Sequence, residues 1–105
     1  MLNKVLWKKK FIANVEDVDE GKQKNFTYQN KPAMLINYKS KLNAYVNICT
    51  HEECETELAG DTIYCPCHGS TFNPETGEAT GPPALTGSKL TNIKIEVVDG
   101  KIYAL

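Results

Sequence analysis

CTHEEC, residues 49–54, and CPCHGS, residues 65–70, hold all four cysteines and both histidines of a chain of 105 residues. Each stretch offers one Cys and one His at close spacing, Cys49-x-His51 in the first and Cys65-x-x-His68 in the second. Thiolate is a soft donor that suits zinc and iron-sulfur centres, and imidazole suits either metal. Such close pairing twice over makes a metal site the first hypothesis, ahead of six residues scattered in surface loops. Structural zinc modules usually pair Cys with Cys and His with His. A mixed pair from each stretch suits a two-iron cluster, one iron taking both thiolates and the other both imidazoles. Zinc stays open on spacing alone.

Outward from these stretches, short β-rich runs broken by turn residues recur, and helical periodicity is hard to find. Strands are expected near Lys4–Asn14, Asn25–Tyr28, Ala33–Tyr38, Leu42–Val46, Thr62–Tyr64, Ser70–Asn73, Leu90–Val98 and Lys101–Ala104. Turns are expected at Lys39-Ser40, Gly60-Asp61, Asn73–Gly77 and Asp99-Gly100, the last being the strongest short hairpin signal. Residues Glu16–Gly21 admit one helical turn and no more, and Gly81-Pro82-Pro83 reads as a rigid loop. The pattern is all-β, one domain over residues 1–105. It suits an antiparallel β-sandwich or small barrel with both Cys/His stretches on strand-connecting loops. Trp7, Phe11, Phe26, Tyr38, Tyr45 and Tyr103 are assigned to core or sheet packing.

Formal charge is -1 and pI about 6.1, so no basic field attracts nucleic acid. Apolar runs such as AMLIN fall far short of the ~20 residues that a membrane-spanning helix needs. The start, MLNKVLWKKKF, is basic but lacks an apolar signal core and a cleavage site, so a mature cytoplasmic protein is expected. The sequon Asn25-Phe26-Thr27 is then chance. Lys8, Lys9 and Lys10 are expected to face solvent.

Two cysteines remain. Cys54 follows Cys49 within the first stretch, and Cys67 sits between Cys65 and His68 in the second. One extra cysteine per loop is what a disulfide tying the loops together would need. A pair of free thiols is the alternative, since disulfides are uncommon in the cytosol.

CTHEEC followed by CPCHGSTF resembles the two cluster-binding boxes of Rieske proteins, which carry a [2Fe-2S] centre. Residues 15–51 are similar to the N-terminal half of Rieske ferredoxins, and residues 73–90 resemble the segment that holds a proline loop over the cluster. The resemblance implies that Cys49 and Cys65 bind one iron and that His51 and His68 bind the other. It implies a Cys54–Cys67 disulfide, as in the high-potential branch of the family, within a cluster-binding subdomain of about residues 47–85. Ser70 would donate its hydroxyl to a bridging sulfide, Gly69 would let the backbone approach the sulfides, and Gly81–Ala84, with Pro82, would cover the cluster. Phe72 stands where cytochrome bc-type members often carry a tyrosine bonded to a ligand cysteine.

Three departures matter. Rieske subunits of cytochrome bc complexes usually place Leu-Gly where Glu52-Glu53 stand here. They also carry a membrane anchor, which is not expected here, and a longer segment between the boxes. These differences weigh against quinol oxidation. The expected function is that of a soluble one-electron carrier, a Rieske-type ferredoxin between a reductase and an acceptor oxidoreductase, with no catalysis of its own. The alternative is a Rieske subunit of a larger respiratory or arsenite-oxidising complex. Glu52, Glu53, Glu55 and Glu57 read either as a solvated acidic loop or as a docking face for a basic patch on the redox partner.

Overall fold

A computed structural model of the chain describes residues 9–50 and 53–105. Strand β1 (Lys10–Asn14) leads into a short 3-10 turn at Val15–Asp17, the single helical turn expected in this region. The chain then runs up and down through β2 (Gln23–Tyr28), β3 (Lys31–Tyr38) and β4 (Lys41–Val46). Two-residue turns join these strands, Gln29-Asn30 at φ 51° and 64° and Lys39-Ser40 at φ 52° and 66°. Positive φ at both central residues matches the twist of the flanking strands, which makes the hairpins tight.

Beyond the first Cys/His loop come β5 (Glu57–Ala59), β6 (Thr62–Tyr64), β7 (Thr71–Phe72) and β8 (Ala79–Gly81), paired in that order. Next, β9 (Asn92–Ile93) returns to the edge of β4. The last hairpin, β10 (Ile95–Val98) and β11 (Lys101–Ala104), turns through Asp99-Gly100 and closes on β1. Among the described residues all pairings are antiparallel, in three sheets ordered β1-β11-β10, β2-β3-β4-β9 and β5-β6-β7-β8.

Strand β3 explains how the sheets stack. Successive side chains of a strand point to opposite faces, so Ala33 and Leu35 enter one core and Met34 and Ile36 another. The first core adds Ile12, Val18, Ala44, Ile93 and Ile102, and the second adds Tyr45, Ile63, Phe72 and Leu90. A strand covered on both faces reads as a continuous apolar run, which is what Ala33–Ile36 shows. Each fully buried Leu, Ile or Phe contributes about 1.5–3 kcal/mol. The second core also contains Cys49 and Cys65, so the two Cys/His loops stand on its packed floor.

Several expectations need correction. The run Leu90–Val98 holds two strands, Asn92–Ile93 and Ile95–Val98, which lie in different sheets, and Leu90 belongs to neither. The chain leaves the β4 sheet at Lys94 and enters the β1 sheet at Ile95. The first strand starts at Lys10; residues 4–8, with Trp7 and Lys8, lie outside the described residues. Lys9 does not face solvent, since its Nζ pairs with Glu96 and its side chain is 12% exposed. Lys10 is exposed, as expected, and its Nζ donates to the Thr27 carbonyl. The strand expected at Ser70–Asn73 is limited to Thr71–Phe72, and β5 and β8 were not expected. Of the other assigned aromatics, Phe11 and Tyr103 pack edge to face with centroids 5.9 Å apart.

Candidate metal centre

The first loop leaves β4 at Val46 and returns into β5. The Asn47 N–H donates to the Pro32 carbonyl at 2.8 Å, and the Cys49 N–H donates to the Cys54 carbonyl at 2.8 Å. The return leg alternates like a strand: Glu53, Glu55 and Glu57 are exposed, whereas Thr56 is buried and Cys54 and Leu58 are half-buried. All three carboxylates therefore face outward from one edge. Thr56 is bonded back to the Asn47 side chain, and the Leu58 N–H donates to Gln23 Oε1 at 2.7 Å. Sequence reasoning missed both braces, although the alternation in ECETEL was there to be read.

The second loop joins β6 to β7. Its turn is closed by Cys65 N–H to the Ser70 carbonyl at 2.8 Å and Gly69 N–H to the Cys65 carbonyl at 2.9 Å. Gly69 has φ +86°, and a Cβ there would meet nothing within 4 Å, so backbone conformation is what requires glycine. Ser70 is fully buried, and its Oγ accepts from the Ala84 N–H at 3.1 Å, tying the proline loop to the second box. Pro82 lies exposed in that loop. Thr50 Oγ1 and Ser88 Oγ, 3.0 Å apart, join the first loop to the far end of the same segment.

The loops converge at sulfur. Cys54 and Cys67 form a disulfide, so the free-thiol alternative fails for this pair. Cys49 and Cys65 lie outside the disulfide, 3% and 1% exposed, and their side chains hydrogen-bond each other. Cys65 Sγ lies within 4.8 Å of both disulfide sulfurs. Those three sulfurs are not a ligand set, since two are oxidised to the disulfide; the available thiol donors are Cys49 and Cys65. Burial pushes the Cys65 thiol up and neighbouring Cys49 adds to this, while backbone hydrogen bonds from Cys67 and His68 oppose it. Two adjacent buried thiols ionise readily only beside a cation, and backbone donors aimed at the sulfur suit a thiolate ligand. His68 is exposed on the same turn. Thiols inside and imidazole outside fit a cluster whose inner metal takes sulfur. His51 and Glu52 lie outside the described residues.

Residues 8–104 match the Rieske [2Fe-2S] domain. The chain belongs to the Rieske [2Fe-2S] family. Its cofactor is accordingly a [2Fe-2S] cluster, and zinc is set aside. This Rieske chain is 31% identical over 93 residues to the cytochrome b6-f complex iron-sulfur subunit of Chlorobaculum tepidum, covering 87% of itself and 50% of that subunit. It is 32% identical over 75 residues to ferredoxin CarAc of Metapseudomonas resinovorans, covering 69% of itself and 68% of that protein. Its fold superimposes with a TM-score of 0.81 and 25% identity on a chain from the complex of reduced oxygenase and oxidised ferredoxin in carbazole 1,9a-dioxygenase, with 91% of each chain covered. The chain thus spans about half the length of the b6-f subunit. Among the described residues, no helix is long and apolar enough to cross a membrane.

Proposed function

We propose that this Rieske chain is a free one-electron carrier, a ferredoxin that passes electrons between a reductase and an acceptor oxidoreductase. In this reading Cys49 and Cys65 hold the inner iron, His51 and His68 hold the outer iron, and the carrier works in the cytoplasm. The cluster supplies a one-electron couple, and imidazole in place of two thiolates raises its potential into a range of roughly -150 to +300 mV.

The observation that carries the proposal is the outward face formed by Glu53, Glu55 and Glu57 beside the first box. A charged rim of this kind is costly to desolvate against a lipid-soluble quinone. It suits encounter with a basic patch on a protein partner, where complementary charge raises the association rate. The coverage of ferredoxin CarAc supports the same reading. Stopped-flow reduction of an isolated oxidoreductase partner tests it: rates should fall as salt is added, and fall further when the three glutamates become lysine. Rates indifferent to salt would reject acidic-face docking, and native fractionation checks the compartment.

The Cys54–Cys67 disulfide and the likeness to b6-f subunits favour a second reading, a subunit of a larger redox complex. Gel filtration of native extract separates the two, since a free carrier elutes at the size of a small domain.

A further inference from the structure

The brace between Asn47 and Thr56 is built as if a side chain were a strand. Asn47 Oδ1 accepts from the Thr56 N–H at 2.6 Å, and Asn47 Nδ2 donates to the Thr56 carbonyl at 3.1 Å. One amide side chain thus satisfies both backbone groups of a single residue, as a neighbouring strand would. The Thr56 hydroxyl adds a third bond to Asn47 Oδ1, at 2.7 Å. Its one proton is spent there, so the approach of its oxygen to Met34 Sδ at 3.7 Å is packing. The amide can point only one way, with its oxygen toward two donors and its NH2 toward the carbonyl. Asn47 and Thr56 are 1% and 3% exposed, so water does not compete for these bonds.

The position of the brace gives it a purpose beyond stability. Asn47 is two residues before Cys49, and Thr56 is two residues after Cys54. The brace therefore closes the loop of the first box at its base, on the protein side of both the thiol and the disulfide. We propose that Asn47 is a positioning residue for the cluster: by gripping Thr56 it fixes where the loop presents Cys49, independently of the Cys54–Cys67 disulfide. The inference rests on the assignment of the cluster to this site. It concerns how the loop is held, not what the carrier reacts with.

The test uses the complete holoprotein and follows loss of its visible absorbance in a chelator, well below the thermal transition. Asn47→Ala leaves the Thr56 N–H and carbonyl unpaired, and Asn47→Asp sets an acceptor against that carbonyl. Both variants should lose the cluster about 10- to 100-fold faster, matching the range by which metal affinity falls when groups that orient metal ligands are removed. Thr56→Val keeps both backbone bonds and should lose it only about fivefold faster, with Thr56→Ser close to the unaltered protein. Asn37→Ala is the control for a merely structural role. It breaks a comparable side-chain bond, Asn37 Nδ2 to the Val18 carbonyl at 2.9 Å, away from the box. It should lower the melting temperature while leaving the chelation rate within about threefold. The reduced-state EPR g-values should move in Asn47→Ala and stay fixed in Asn37→Ala. Equal rates for these two variants, or g-values unmoved in Asn47→Ala, would overturn the proposal. If neither Asn47 variant accumulates, a Thr56→Val rate equal to that of the unaltered protein would overturn it too. Absorbance of the unaltered protein reports separately on the cofactor, so failure of the cluster assignment cannot be mistaken for failure of the brace.

Discussion

The Ser70 hydroxyl accepts a hydrogen bond from the Ala84 N–H at 3.1 Å, joining the second box to the proline loop in a place closed to water. Because the oxygen is the acceptor in that bond, its proton remains available to donate elsewhere. Ser70→Ala should then have two separable effects. Leaving the Ala84 N–H unpaired should cost about 1–3 kcal/mol of stability, read by denaturant titration. Losing a bond of ~1 kcal/mol to a bridging sulfide should lower the midpoint potential by roughly 40 mV. A destabilised variant with an unchanged potential would show that the serine serves the loop alone.

Phe72 is fully buried in the second core, where it packs but has no hydroxyl to donate. Phe72→Tyr should raise the midpoint potential by some tens of millivolts if the new hydroxyl reaches a ligand cysteine. Anaerobic redox titration of the two proteins side by side checks the sign. An unchanged potential would place the hydroxyl out of reach of the sulfur.

The disulfide joins residues separated by 13 in sequence, and a cross-link of that span is worth about 3 kcal/mol through the unfolded chain. Cys49 and Cys65 come from the same two loops, so a cluster bound by both would already join them. Replacing Cys54 and Cys67 with serine should therefore cost less stability in the holoprotein than in the cluster-free protein. Denaturant titrations of both forms give the comparison. Equal costs would mean that the cluster does not hold the loops together.

Two glycines at positive φ separate conformational strain from crowding. A Cβ on Gly69 would meet nothing, so Gly69→Ala should cost only the left-handed penalty of about 1–2 kcal/mol. A Cβ on Gly77, at φ +81°, would stand 2.9 Å from Tyr45 Cε1 and 3.3 Å from the Leu90 carbonyl. The Tyr45 ring cannot swing aside easily, because it is buried and its hydroxyl donates to the Pro74 carbonyl. Gly77→Ala should thus cost a further ~1–3 kcal/mol of overpacking. Matched thermal melts would reveal the difference.

What could be read beforehand follows physical lines. Metal donors leave spaced Cys and His in the chain, so CTHEEC and CPCHGS pointed to a metal centre, and the family's [2Fe-2S] cofactor agrees with that. Asp99-Gly100 announced its hairpin because few residue pairs accept positive φ twice. Strands β5, β7, β8 and β9 are two or three residues long and take their extended form from partners across the sheet. Local propensity carries little of that information. The pairing of Lys9 with Glu96 joins residues distant in sequence and leaves no periodic trace, whereas the alternation in ECETEL turns Thr56 inward without naming Asn47 as its partner.

Tyr45 supplies a pH test of the second core. Burial, reinforced by the Glu75 carboxylate, pushes its phenol from 10.0 up to about 12. As pH rises through 10.0 the unfolded chain gives up this proton while the folded chain keeps it, so unfolding becomes easier. This part of the stability is complete below pH 10.0 and is lost by about pH 12. Tyr45→Phe keeps the ring and removes the proton. Near neutrality it should be less stable by about 1 kcal/mol for the lost bond to the Pro74 carbonyl. Toward pH 12 the gap should close and then invert, because only the unaltered protein must bury or expel a phenolate. Denaturant titrations of both proteins across that window test the sign. A gap that stays constant with pH would mean that Tyr45 ionises as freely in the folded protein as in the unfolded chain.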